Sequence, residues 1–122
     1  MRESIEGMML EVIFDIRPKL PDWSSQETLE KVSSENVDWL MPEYVVLSTE
    51  TGRSAKFRTS AVRLLTTQFR SATWCLSPPD PKHGSSILVG TLNAISHNGE
   101  NVTRYLILAP RTEGEKAAEG AR

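Results

Sequence analysis

Residues 86–109, Ser-Ile-Leu-Val-Gly-Thr-Leu-Asn-Ala-Ile-Ser-His-Asn-Gly-Glu-Asn-Val-Thr-Arg-Tyr-Leu-Ile-Leu-Ala, decide the fold of this chain. Asn98-Gly99 is the preferred dipeptide of a two-residue type I′ turn, because both residues tolerate the positive φ that matches strand twist. Apolar and β-branched residues flank it, so an antiparallel hairpin with strands over about 86–96 and 101–109 is expected. A two-residue turn sets Val89 opposite Leu108, Thr91 opposite Leu106 and Ile95 opposite Val102 on one face. Leu92 then meets Tyr105, and Gly90 meets Ile107, on the other. Large apolar side chains occupy both faces near the base, whereas Ser96, His97, Glu100 and Asn101 make a polar tip. Such a hairpin is central in a layered fold or is buried in an assembly. Leu92, Tyr105, Ile107, Val89 and Leu108 are therefore candidate interface residues.

Upstream, residues 54–72 carry the next signal. Phe57, Ala61, Leu64, Leu65, Phe69 and Ala72 recur at helical spacing, and a helix is expected from about Ser60 to Ser71. At roughly 100° per residue, Lys56, Arg63 and Arg70 fall on one stripe opposite the apolar face. Arg53 and Arg58 flank them. The alternative for residues 54–59 is a hairpin with the buried-type strand Tyr44–Ser48, across the turn Glu50-Thr51-Gly52-Arg53. Thr73–Leu76 reads as a short strand. The Pro78-Pro79-Asp80-Pro81 loop includes a PxxP spacing that suits a polyproline ligand.

The first part of the chain reads as strand and then helix. Leu10, Val12, Phe14 and Ile16 fall on one face, with Glu11, Asp15 and Arg17 on the other and Ile13 among them, and Pro18 and Pro21 end that strand. Ser24 with Glu27 three residues on is a capping-box pattern. It opens a helix whose ridge is Leu29 and Val32. Val37, Trp39 and Leu40 suggest a second short helix closed by Pro42. The expectation is a small single α+β domain over residues 1–110, in the order β-α-(α)-β-α-β-β. A polar tail, residues 111–122, follows.

Composition excludes several classes. The chain has 122 residues, 39% hydrophobic and 25% charged, enough for a compact core and too apolar for disorder throughout. The one cysteine, Cys75, makes no intrachain disulfide. Acidic residues Glu3, Glu6, Glu11 and Asp15 interrupt any apolar leader, so a cytoplasmic location is expected and no membrane span is. His83 and His97 lie in no zinc-binding spacing, and no phosphate-binding glycine pattern is present. No cofactor is expected. Cys75, between Trp74 and Leu76, reads as a small buried hydrophobe. Trp23, Trp39 and Trp74 read as core or interface anchors.

The net charge of −2 hides a segregation of signs. Residues 1–50 hold eleven acidic and four basic side chains, and residues 51–122 hold five acidic and ten basic. Either the halves touch within the fold, or the surface is dipolar and meets a partner. The leading expectation is a non-enzymatic protein-interaction or assembly module, acting on a protein partner or on itself. Its basic surface is Arg53, Lys56, Arg58, Arg63 and Arg70, and residues 1–50 of a second copy are one acidic counterpart. The alternative is sequence-independent binding of nucleic acid through the same cations. A small enzyme or ligand-binding protein is the third reading.

Overall fold

A computed structural model of the chain describes residues 14–33 and 43–111. Their elements are β1 (Phe14–Arg17), a 3₁₀ turn (Gln26–Thr28), β2 (Glu30–Lys31), β3 (Tyr44–Ser48) and β4 (Ser54–Arg58). Helix α1 (Thr59–Gln68), β5 (Thr73–Leu76), β6 (Leu88–Ile95) and β7 (Asn101–Leu108) follow. This is a small α+β fold with antiparallel sheets and one helix among the described residues. The expected second helix around Val37, Trp39 and Leu40, the alternating residues Leu10 and Val12, and the tail beyond residue 111 lie outside the described residues.

Five strands form one sheet in the order β1-β7-β6-β5-β2, and β3 pairs with β4 in a separate ribbon. The ribbon is stitched to the sheet on both sides. Val32 donates its N–H to Trp74 O at 3.0 Å and bridges Thr49, while Ser33 N donates to Ser48 O at 2.8 Å. On the other side, Arg111 N donates to Lys56 O at 2.7 Å, which ties the residues after β7 to β4. The strands thus wrap one core, made of Val45, Leu47, Phe57, Leu76, Leu88, Leu106 and Leu108. Ala61, Val62 and Leu65 of α1 add to it. Strand alternation explains the set: Val45 pairs with Phe57 and Leu47 with Ala55, so the odd-numbered residues of both ribbon strands face inward.

The hairpin is central, the first of the two placements its apolar faces allow, since β7 and β6 lie between β1 and β5. Its register differs from the expected one by a residue. Leu88 pairs with Leu108, Gly90 with Leu106, Thr91 with Tyr105, and Ile95 with Asn101. The connection is a three-residue loop, with Gly99 N bonded to Ser96 O at 3.0 Å and Ser96 N to Glu100 O at 2.9 Å. Gly99 alone takes positive φ, +79°, whereas Asn98 does not. This is a type I turn with a glycine bulge, a loop that the same dipeptide serves equally well. A one-residue slip exchanges faces, and here it brings Leu88, Leu106 and Leu108 together on the core side.

Three further expectations are corrected. The Ser24–Glu27 helix is replaced by the 3₁₀ turn, in which Thr28 Oγ1 accepts from Ser25 N at 3.0 Å. Leu29 is already extended, because Glu30–Lys31 serves as the edge strand against Cys75 and Leu76. Residues 54–58 take the hairpin alternative, so Phe57 is a strand residue and α1 runs from Thr59 to Gln68. Lys56 therefore lies on β4, and Arg70 lies past the helix end, so the single helical stripe of cations does not form. No helix among the described residues is long and apolar enough to cross a membrane.

Candidate binding surface

The outer face of the β3–β4 ribbon gathers cations around one ring. Because Ala55 and Phe57 point inward, Lys56 and Arg58 point outward, beside their pairing partners Val46 and Tyr44. Lys56 Nζ and Arg58 Cζ each lie 5.7 Å from the centre of the Tyr44 ring. Arg111 reaches the same ring from the end of β7, with Cζ 4.6 Å from its centre, and its Nη1 donates to the Tyr44 hydroxyl. Each contact is within cation–π range, where the negative ring face attracts a cation. Tyr44, Lys56, Arg58 and Arg111 are all half-buried. The main chain at Lys56 and Arg58 is fixed by strand pairing, and that at Arg111 by its bond to Lys56.

The other expected cations lie elsewhere. Arg53, in the β3–β4 turn, pairs with Glu30 through Nη2 and Oε2 at 3.1 Å. Its Nη1 donates to Thr28 O at 2.8 Å and Leu76 O at 3.1 Å. Glu30 Oε1 also accepts from Thr49 Oγ1 at 2.9 Å and from Thr51 Oγ1. These threonine bonds, followed by the Arg53 charge, hold the Glu30 carboxyl below its ordinary range. Arg53 is thus an internal tie between the acidic and basic halves of the chain. Arg63 is exposed on α1, and Arg70 is exposed just after it. Of the five expected cations, Lys56 and Arg58 come together at Tyr44.

Tyr44 and Arg111 were not singled out by the sequence. Tyr44 had a usable signal, since pairing residues 44–48 with 54–58 sets it opposite Arg58. Arg111 had none, because its position depends on a bond between the ends of distant elements.

The hairpin candidates are enclosed by their own chain. Val89, Leu108 and Tyr105 are buried, and Leu92 and Ile107 are half-buried. Leu92 packs against the core, and the Tyr105 hydroxyl donates to Gln26 Oε1 at 3.0 Å, tying the β1–β2 connection to the sheet. Among the described residues, the large apolar side chains left exposed are Ile95, at 74%, and Ile16, at 47%.

The reactive side chains are dispersed. Cys75 is half-buried on β5, and burial pushes its thiol up, away from thiolate. Asp80 Oδ2 meets His83 Nδ1 at 3.0 Å while Oδ1 accepts from Lys82 N at 2.6 Å. The His83 bond comes first among the causes that lower the Asp80 carboxyl. This pair closes a turn over Asp80–Gly84, with Gly84 N bonded to Asp80 O at 2.7 Å, so Pro81 enters a turn and does not continue an extended PxxP ligand. No group of three or more His, Cys, Asp or Glu placed to hold a metal ion occurs among the described residues. Neither a protein-family model, nor a curated protein, nor a solved structure matches the chain.

Proposed function

We propose that this chain is a non-enzymatic protein-interaction module whose outer β3–β4 face binds an acidic surface of a protein partner. The observation that carries the reading is the convergence of Lys56, Arg58 and Arg111 on the Tyr44 ring. Three cations from two different strand regions concentrate positive potential on a rigid face, which steers an acidic partner and sets its orientation. Tyrosine and arginine are also the residue types that interface centres favour. The acidic first fifty residues of a second copy are one such surface.

Nucleic acid is the second reading, since the same cations suit phosphates. Two observations weigh against it. Single-strand binders stack bases on open aromatic faces, whereas Arg111 lies against the Tyr44 ring at 4.6 Å. The net charge of −2 also opposes a polyanion as long as a duplex.

Fluorescence anisotropy with a labelled oligoglutamate peptide and a labelled oligothymidylate separates the two. The proposal expects binding of the peptide at low salt, weakened by added salt. The double variant K56E/R58E should bind it at least about ten-fold more weakly. Tighter binding of the oligothymidylate than of the peptide would overturn the proposal in favour of nucleic acid.

A further inference from the structure

The β6–β7 hairpin extends past its neighbours. β5 pairs with residues 88–91 of β6, and β1 pairs with residues 105–108 of β7. Residues 92–95 and 101–104 therefore pair only with each other among the described residues, as a projecting arm with two open edges. Sheet edges of this kind offer a row of unpaired main-chain groups to another strand.

The hydrogen-bond pattern fixes which groups these are. Ser96 N–H bonds to Glu100 O inside the hairpin, so even-numbered residues of both strands turn their main-chain groups toward each other. Odd-numbered residues turn theirs outward. Ile87 O, bonded to Ser77 N, and Arg111 N, bonded to Lys56 O, obey this rule. On the free stretch of β7, the outward residues are accordingly Asn101 and Thr103. The Thr103 carbonyl already attracts a donor, the Arg104 guanidinium at 3.2 Å. β1 ends at Arg17, opposite Tyr105, and the chain bends at Pro18 and Lys19, so among the described residues no strand pairs with the outer edge of β7 before Tyr105.

We propose that this β7 edge pairs with the same edge of a second copy, antiparallel and centred on Val102. In that register Asn101 of one copy and Thr103 of the other exchange two main-chain hydrogen bonds, and the two-fold axis repeats them. Val102 faces itself across the axis. Glu100 faces Arg104 of the second copy on the same side of the sheet, and the axis repeats this pair as well. Neither side chain has an ion-pair partner among the described residues, and four residues of extended strand hold them out of reach of each other within one chain. The opposite edge, Leu92–Ile95, presents equivalent main-chain groups but no charged side chain, so it lacks this complementarity. The contact is isologous and closes at two copies. It uses no residue of the Tyr44 surface, so it stands or falls separately from the function proposed above.

Sedimentation equilibrium up to about millimolar concentration tests the pairing, with wild type, E100R, R104E, the double variant E100R/R104E, and K56E/R58E. Glu100 is exposed, whereas Arg104, Lys56 and Arg58 are half-buried, and circular dichroism checks that each variant folds. Wild type should show a monomer–dimer equilibrium. Each single arm variant sets like charges across the axis and should weaken the dimer at least about ten-fold. The double arm variant exchanges the charges and should return it to within about three-fold of wild type. A wild-type protein that stays monomeric, a double arm variant as weak as the singles, or a dimer lost in K56E/R58E would overturn the proposal.

Discussion

Arg53 faces Glu30 at 3.1 Å, across the turn that closes the β3–β4 ribbon. The pair joins a residue of the acidic half of the chain to one of the basic half, and Arg53 adds bonds to two main-chain carbonyls. Replacing it removes a donor from both carbonyls and the ion-pair partner of Glu30 Oε2, while the threonine bonds to Oε1 remain. This costs more than losing a cation without such ties. R53M should therefore lower the urea midpoint clearly, while K56M and R58M should lower it less. Equal midpoints for the three variants would show that Arg53 is not the internal tie described.

Acid should weaken the fold through Glu30 of this network and through Asp80 of the Asp80–Gly84 turn. The Glu30 and Asp80 carboxyls are both lowered in the folded chain, so protons bind more readily once it unfolds. Their contribution is complete above the ordinary glutamate value of 4.5 and is lost as pH falls through the lowered folded values. Urea unfolding across this range should show stability declining with pH. The gap between wild type and E30Q should narrow toward acid, and a gap constant with pH would contradict the assignment.

Gly90 lies under the Trp74 ring, and a Cβ placed there would sit 2.6 Å from Cζ3. The two residues pair across β5 and β6, so neither main chain has room to retreat. G90A should cost about 1–3 kcal/mol by overpacking. In a W74L background the obstruction is gone and the same change should cost less than about 1 kcal/mol. Equal costs in both backgrounds would rule out the ring as the cause.

The hairpin loop gives a sharper contrast. Gly99 is left-handed and Asn98 is not. G99A should then cost about 1–2 kcal/mol, whereas N98A should be nearly neutral. In a type I′ turn both positions need positive φ, so a comparable loss in N98A would favour the two-residue turn instead.

These two loop residues also mark how far the sequence could be read. Asn98-Gly99 and the apolar flanks specified a hairpin, central or buried in an assembly, but the dipeptide fits two loops whose registers differ by one residue. Only the core decides between them, by taking Leu88, Leu106 and Leu108 on one side. The stretch 54–72 was ambiguous for a related reason. Phe57 continues the helical spacing of Ala61 and Leu65, and it also alternates with Ala55 against Val45 and Leu47. The consequence for the binding surface was direct. Two residues apart on a helix, Lys56 and Arg58 diverge by about 200°, but on a strand they share a face. Ser24–Val32 had helical caps and spacing, yet Glu30 and Val32 were claimed by the edge of the sheet, a tertiary demand that outweighs propensity.

The central claim is that the Tyr44 face receives an acidic partner. Its most direct test is a titration of ¹⁵N-labelled protein with oligoglutamate at low salt, followed by amide chemical shifts. The account predicts shifts concentrated at Tyr44, Lys56, Arg58 and Arg111 that vanish in K56E/R58E. Shifts centred instead on Arg63 and Arg70, or no shifts in the wild-type protein, would contradict it.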